Sequence, residues 1–210
     1  MRGFNLSEQE QIDQIKYFWS DWGKYLIAII VVALAVYITD FLWNKHKDNL
    51  SNQAASVYFN FTTSVSSGNN AIAYKLAQQL EEEYPHLQYS DLASIWAAKL
   101  AYTEKNIDLA KNFLLWTIND ASDKNFVSLA KLRLAKVYID QKQFDKAMSL
   151  LKSDDNQAFS VLFYQTRGDL YIAKNEPNMA RDAYKEALKR AGDDSSITQS
   201  IQLKLDVLGS

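Results

Sequence analysis

The 210-residue chain has no cysteine, two prolines, six glycines and two histidines. Lacking thiols, it can form neither disulfides nor thiolate metal sites, a composition compatible with either side of a membrane. Scarce helix breakers, in a chain rich in Ala, Leu, Lys and Gln, point to an almost all-helical fold. Catalytic groups are also scarce. His46 and His86 stand far apart, and no serine or aspartate has a histidine beside it to act as its base. Gly68 and Gly168 are isolated, so there is no glycine-rich phosphate loop. Glu81, Glu82 and Glu83 precede His86, but three consecutive glutamates on a helix point in different directions and read as a solvated helix end, not a metal site. The sequence thus predicts a non-enzymatic protein without metal or cofactor. From Asn44 onward acidic and basic residues balance, and no Lys/Arg cluster marks a nucleic-acid surface.

One long apolar run is present, Tyr25 to Trp43 (YLIAIIVVALAVYITDFLW), free of charge as far as Thr39. As a helix it reaches about 28 Å, close to the thickness of a hydrocarbon core. Trp19 and Trp22 precede it, Tyr25 opens it and Phe41 and Trp43 close it, placing rings with polar edges at headgroup level. Ala33-Leu34-Ala35 has the spacing of a signal-peptide cleavage site but lies inside the apolar run. Glu8, Glu10, Asp13 and Asp21 also make the leading segment unlike a basic signal region. An uncleaved membrane anchor is expected, with Asp40 and His46 near the interface. Residues 1–6 read as disordered. From Ser7, a candidate N-cap with Glu10 three positions on, Ile12, Ile15, Trp19 and Trp22 share one face. That pattern predicts a short interfacial helix with a turn at Gly23-Lys24. The organisation expected is 1–24 cytoplasmic or interfacial, 25–43 transmembrane and 44–210 a helical-repeat domain. Arg2, Lys16 and Lys24 against Lys45 and Lys47 are too even to orient the span.

Beyond the span, breaks fall at Ser67–Asn70, Tyr84–His86, Lys105-Asn106, Asn119-Asp120, Asp140–Lys142, Ser153–Asn156, Lys174–Pro177 and Gly192–Asp194, marking off about nine helices. Val161 to Ala191 fits the tetratricopeptide pattern, with Tyr164, Gly168 and Tyr171 on the first helix and Ala180, Tyr184 and Ala187 on the second. Ala135, Tyr138, Ala147 and Leu151 repeat it 33 residues earlier. Ala98, Tyr102, Ala110 and Leu114 are a weaker copy, and Gly68, Ala73, Leu80 and Pro85 match the later half of a unit. Small residues at these positions let paired helices approach, and large rings fill the gaps between pairs. The fold class expected is all-α: one N-terminal transmembrane helix, then a tetratricopeptide-like superhelix. Ile197, Ile201, Leu205 and Leu208 lie on one face of a terminal capping helix.

In such a stack the first helix of each pair lines the concave surface. The facing positions are Tyr58, Thr62 and Val65; Leu92, Ile95, Lys99 and Tyr102; Leu129, Leu132, Lys136 and Ile139; and Leu162, Gln165, Asp169 and Ile172. A largely apolar row with single spaced charges suits an extended or helical apolar segment better than a terminal carboxylate.

Three stretches, QIDQIKYFWSDWGKYL into the span, LRLAKVYIDQKQFDKA in the middle and RGDLYIAKNEPNMARDAYKEAL near the end, carry a further likeness. With them the chain resembles, over nearly its full length, the YfgM family of bacterial inner-membrane proteins, ancillary subunits of the SecYEG translocon. The resemblance implies a cytoplasmic N-terminus, one span and a periplasmic domain. It also implies association with the translocon and with a membrane-anchored periplasmic chaperone of the PpiD type. The function expected is a membrane-anchored binding module that helps hand secreted or membrane proteins, as unfolded client chains, to such chaperones. Two alternatives stay open: a regulatory tether that sequesters an envelope-stress signalling protein, and a scaffold for wall or division machinery.

Overall fold

A computed structural model of the chain describes residues 6–152, 156–192 and 195–209. The described residues form nine α-helices: α1 Leu6–Ser66, α2 Asn70–Glu83, α3 Gln88–Thr103, α4 Ile107–Asp120, α5 Lys124–Asp140, α6 Phe144–Leu151, α7 Ser160–Ala173, α8 Pro177–Ala191 and α9 Ser195–Val207, with a short 3₁₀ turn at Gln157–Phe159. Two units divide the chain at Ser51/Asn52.

The described part of the first unit is helix α1 up to Ser51. Across the apolar run its side chains are exposed on every face, and this is the one described helix long and apolar enough to cross a membrane. A rod apolar all round is at home in lipid, where a helix satisfies every backbone group internally. The Trp22 and Tyr25 rings lie 6.1 Å apart, with Lys24 Nζ 5.1 Å from the Tyr25 ring. At the other end Asn44 Nδ2 donates to Asp40 Oδ2 at 3.1 Å, giving the carboxylate a partner one turn along. The turn expected at Gly23-Lys24 is absent, because α1 runs through it unbroken. One glycine costs a helix only about 1 kcal/mol, too little to stop one that already satisfies its backbone. The side chains of Ser7, Glu10, Ile12 and Ile15, and the expected breaks at 153–155 and 193–194, lie outside the described residues; of 1–6, only Leu6 is described, and it is helical.

In the second unit, the last turns of α1 and helices α2 to α9 pack about three successive cores. The first gathers Phe61, Leu80, Ala97, Phe113 and Leu134; the second Leu132, Leu151, Phe163 and Leu170; the third Tyr184, Ala187 and Ile201. Helix α3 pairs with α4, α5 with α6 and α7 with α8. The alanine register read from the sequence is structural: Ala73, Ala110, Ala147 and Ala180 are each fully buried. The expected face of α9 is also there, with Ile201 buried and Ile197, Leu205 and Leu208 packed around it. Pro177 opens α8 at its first turn, where a missing N–H costs nothing. The break expected at Asn119-Asp120 comes slightly later. Those residues complete α4, and Asp123 caps α5 by accepting the Asn125 N–H at 2.8 Å.

One turn recurs with the register. Gly68, Lys105, Lys142 and Asn175 all have positive φ, between 57° and 73°. Each stands five residues before one of the buried alanines. In each case the next residue's N–H reaches back five residues to a helical carbonyl: Asn69 to Ser64, Asn106 to Ala101, Gln143 to Tyr138 and Glu176 to Tyr171, at 2.8–2.9 Å. This is the Schellman closure, whose left-handed residue is best filled by glycine. Only Gly68 is one. Lys142→Gly is therefore expected to raise stability by about 1 kcal/mol, read as a higher urea midpoint, and Lys142→Val to lower it.

Candidate functional site: a cleft between α3 and α5

Helices α3 and α5 bury their small and aliphatic faces, Ala97, Ala98 and Ala101 on one and Leu134, Ala135 and Val137 on the other. Their remaining faces border a cleft of about 520 Å³ lined by Lys99 and Tyr102 of α3, Arg133, Lys136, Ile139 and Asp140 of α5, and Asp169 of α7, with Ala98, Leu114 and Val137 as its apolar floor. Five residues expected on the concave face thus meet in one place: Lys99, Tyr102, Lys136, Ile139 and Asp169.

Its charges are held in place. Tyr102 Oη donates to Asp140, and this bond, with burial, raises the phenol's pKa above its ordinary value. Lys99 Nζ lies 5.1 Å from the ring of Trp96, which is 48% exposed on the same helix. Arg133 Nη1 donates to the Ile95 carbonyl at 2.8 Å, crossing from α5 to α3, and burial lowers its pKa. Asp169 accepts from Tyr184 Oη at 2.7 Å and from Lys204 of α9. The result is a cleft with an apolar floor, two exposed lysines one repeat apart on its rim, and acidic groups already engaged at Asp140 and Asp169. Such a surface has the apolar floor and spaced charges that suit a peptide segment.

The other expected residues lie elsewhere. Ile95 and Leu132 are each 4% exposed and belong to the core, so they cannot face a partner. The ring of Tyr58 packs 5.8 Å from Phe61 and 5.5 Å from Tyr89. Leu129 packs on the first core and Leu162 on the second, while Leu92 is half-buried. Thr62 Oγ1 turns back on the Phe59 carbonyl, and Val65 packs on the first core. Gln165 reaches Ser200 of α9 at 3.5 Å. Ile172 is exposed but does not border the cleft. These departures share a cause: the offsets sit close to the boundary between the buried and open faces of each helix, and one residue's rotation moves a side chain across it.

Sequence reasoning missed Trp96, Arg133 and Asp140. A signal existed for the first, since Trp96 follows Leu92 by four residues and precedes Lys99 by three, and tryptophan is enriched at binding surfaces.

The match to known proteins agrees with this architecture. The family model described as tetratricopeptide repeat-like domain matches residues 16–210. Relatives named ancillary SecYEG translocon subunit include those of Neisseria gonorrhoeae (29% identical, covering 97% of this chain and 98% of the relative), Escherichia coli (25%, 96% and 97%) and Aggregatibacter actinomycetemcomitans (26%, 98% and 99%). The resemblance read from the sequence is therefore met along nearly the whole length. No solved structure matches the chain. With four buried alanines in register, a Schellman turn before each and a family model spanning span and stack together, the chain belongs to the tetratricopeptide repeat-like domain family.

Proposed function

We propose that this protein is a non-enzymatic binding module of the Sec translocon, anchored in the bacterial inner membrane by α1, with a cytoplasmic N-terminus and a periplasmic repeat domain. The observation that carries the binding role is the α3–α5 cleft, where Lys99, Tyr102, Lys136 and Ile139 surround an apolar floor left uncovered by the rest of the stack. Its apolar floor and charged rim suit an apolar stretch of polypeptide whose polar or acidic flank meets the two lysines. The partners named for the relatives supply the setting, and a PpiD-type chaperone or an emerging client chain supplies the segment gripped. Handing clients from channel to chaperone follows if both are held by one tethered domain, which raises their effective concentration.

Photo-crosslinking from positions 99 and 136 of the intact protein in membranes tests this. Adducts with translocon or periplasmic chaperone subunits, with many client chains, are expected, and Ile139→Asp should reduce them several-fold. A single stoichiometric signalling protein in the adducts would favour the regulatory tether instead, and recovery of no secretion component would overturn the proposal.

A further inference from the structure

A second concavity lies apart from the α3–α5 cleft, where the turn between α2 and α3 faces the turn between α4 and α5. His86, Gln88, Asp91, Ser122, Asp123 and Lys124 line it. Asp91 stands in the first turns of α3 yet is 1% exposed. One of its carboxylate oxygens, Oδ1, has no hydrogen-bond partner. The carboxyl is otherwise met by the backbone N–H of Asp123. A buried acceptor left unpaired is costly, and a buried carboxylate more so. The surrounding seam is otherwise well satisfied. Ser90 Oγ donates to the carbonyls of Leu80 and Tyr84 at 2.8 and 2.6 Å, and Ser94 Oγ donates to Glu81 Oε1 at 2.6 Å. Asp91 is the one member of that seam left short of a donor.

We propose that this concavity is a binding site for a cationic side chain, the guanidinium or ammonium of a basic residue in a partner polypeptide, with Asp91 as its buried counter-ion and Asp123 as the second carboxylate. The donor set argues for an organic cation. Among the described residues no three His, Asp or Glu side chains stand close enough together to hold a metal ion, whereas a planar guanidinium spreads its donors over several ångströms. Gln88 and Ser122 add oxygens at the rim. The charged and titratable groups facing Asp91 are Asp123 and Lys124 from the α4–α5 side and His86 from the α2–α3 turn. Lys124 is solvent-exposed and makes no hydrogen bond to Asp91 Oδ1. Burial and the Asp123 charge push the Asp91 pKa up to about 6. A bound cation reverses that by favouring the carboxylate. Binding and ionisation of Asp91 are therefore linked, and affinity should rise as pH rises through 6. This site is independent of the α3–α5 cleft and stands or falls separately from it.

The test uses the full chain in detergent micelles with N-acetyl-arginine amide as probe and N-acetyl-citrulline amide, which is isosteric and uncharged, as control. Ionic strength is held constant, and the side-chain carboxyl carbon of Asp91 is followed by NMR. Arginine amide is expected to lower the Asp91 midpoint by about one unit, to bind about fivefold more tightly at pH 7.5 than at pH 5, and to lose its effect on the Asp123 amide in Asp91→Asn, which keeps the side chain's shape. Asp140→Asn, in the other cleft, should leave binding unchanged. The proposal is overturned if citrulline amide acts equally, if arginine amide leaves Asp91 untouched (water alone then fills the gap), or if calcium moves Asp91 at concentrations where arginine amide does not.

Discussion

Replacing Gly168 by alanine is expected to destabilise the repeat domain by about 2–4 kcal/mol, although the same change in an open helix stabilises it by about 1 kcal/mol. Gly168 is in the middle of α7 and buried. A Cβ there would stand 2.2, 2.5 and 2.7 Å from three ring atoms of Tyr184 in α8. Carbon atoms settle at about 3.5–4.0 Å, so the ring must move by more than 1 Å. It has little freedom to do so. Tyr184 is 2% exposed, and its hydroxyl is tied to Asp169 at 2.7 Å. Moving the ring gives up that bond and disturbs Asp169, which also accepts from Lys204 of the capping helix. The same substitution should therefore loosen α9 and alter the end of the α3–α5 cleft that Asp169 borders. Full-length Gly168→Ala in micelles should lose roughly 5–15 °C in thermal midpoint by circular dichroism, with earlier hydrogen exchange across α9. Adding Tyr184→Leu should return part of the loss, since the clash is with the ring; a coupling energy near zero in that cycle, or an unshifted single variant, would refute the account.

Gly168 and Tyr184 show what could be read from the sequence. Both stand at repeat positions where a small residue meets a large ring, and the register of Ala73, Ala110, Ala147 and Ala180 marks α2, α4, α6 and α8 from sequence spacing alone. That information is local and periodic, because each buried alanine answers to a spacing of 33 or 37 residues. The apolar run to Trp43 was equally plain, since lipid imposes a length and a composition. What remained hidden depends on rotation and on distant partners. Ile95 and Leu132 lie one helical step from the open face and fall into the core. Gln165 and Asp169 are engaged by Ser200 and Lys204, some 35 residues downstream. Positive φ at Lys105 and Lys142 also carried no residue-type signal, since lysine is not a left-handed residue by preference. The burial of Asp91 was invisible for a related reason: an aspartate in the first turns of a helix usually faces water.

That burial leads to a stability profile unlike the usual one for a soluble domain. Burial pushes the Asp91 carboxyl up to about 6, against the hydrogen bond from the Asp123 N–H. Burial likewise pushes Glu81 up to about 7, with Glu82 and Asp120 adding repulsion and the Ser94 hydroxyl opposing. For an acid whose folded pKa is raised, the folded state holds the proton longer than the unfolded chain. Stability is then greatest below the unfolded value, about 4, and falls as pH rises through the folded one. The protein is therefore expected to be more resistant to urea at pH 5 than at pH 7.5, by on the order of 1–2 kcal/mol from Asp91, about half of whose effect is already spent by pH 5, and by a comparable amount from Glu81 after allowing for its partial exposure. Below pH 4 the trend reverses. Glu104, held low by Tyr74 and Asn70, and Glu186, held low by Arg190 and Lys189, then lose their charge and their bonds. Asp91→Asn should flatten the profile between pH 4 and 6 and leave the fall toward pH 7 that Glu81→Gln removes. The slope is the better readout, because Asn brings an amide that itself needs a partner and shifts the whole curve by about 1–3 kcal/mol. Urea midpoints of the full-length protein and both variants, taken from pH 4 to 8, decide the matter: a parent profile flat or rising from pH 5 to 7.5, or one that Asp91→Asn leaves unchanged, would show that Asp91 ionises in the fold at no cost.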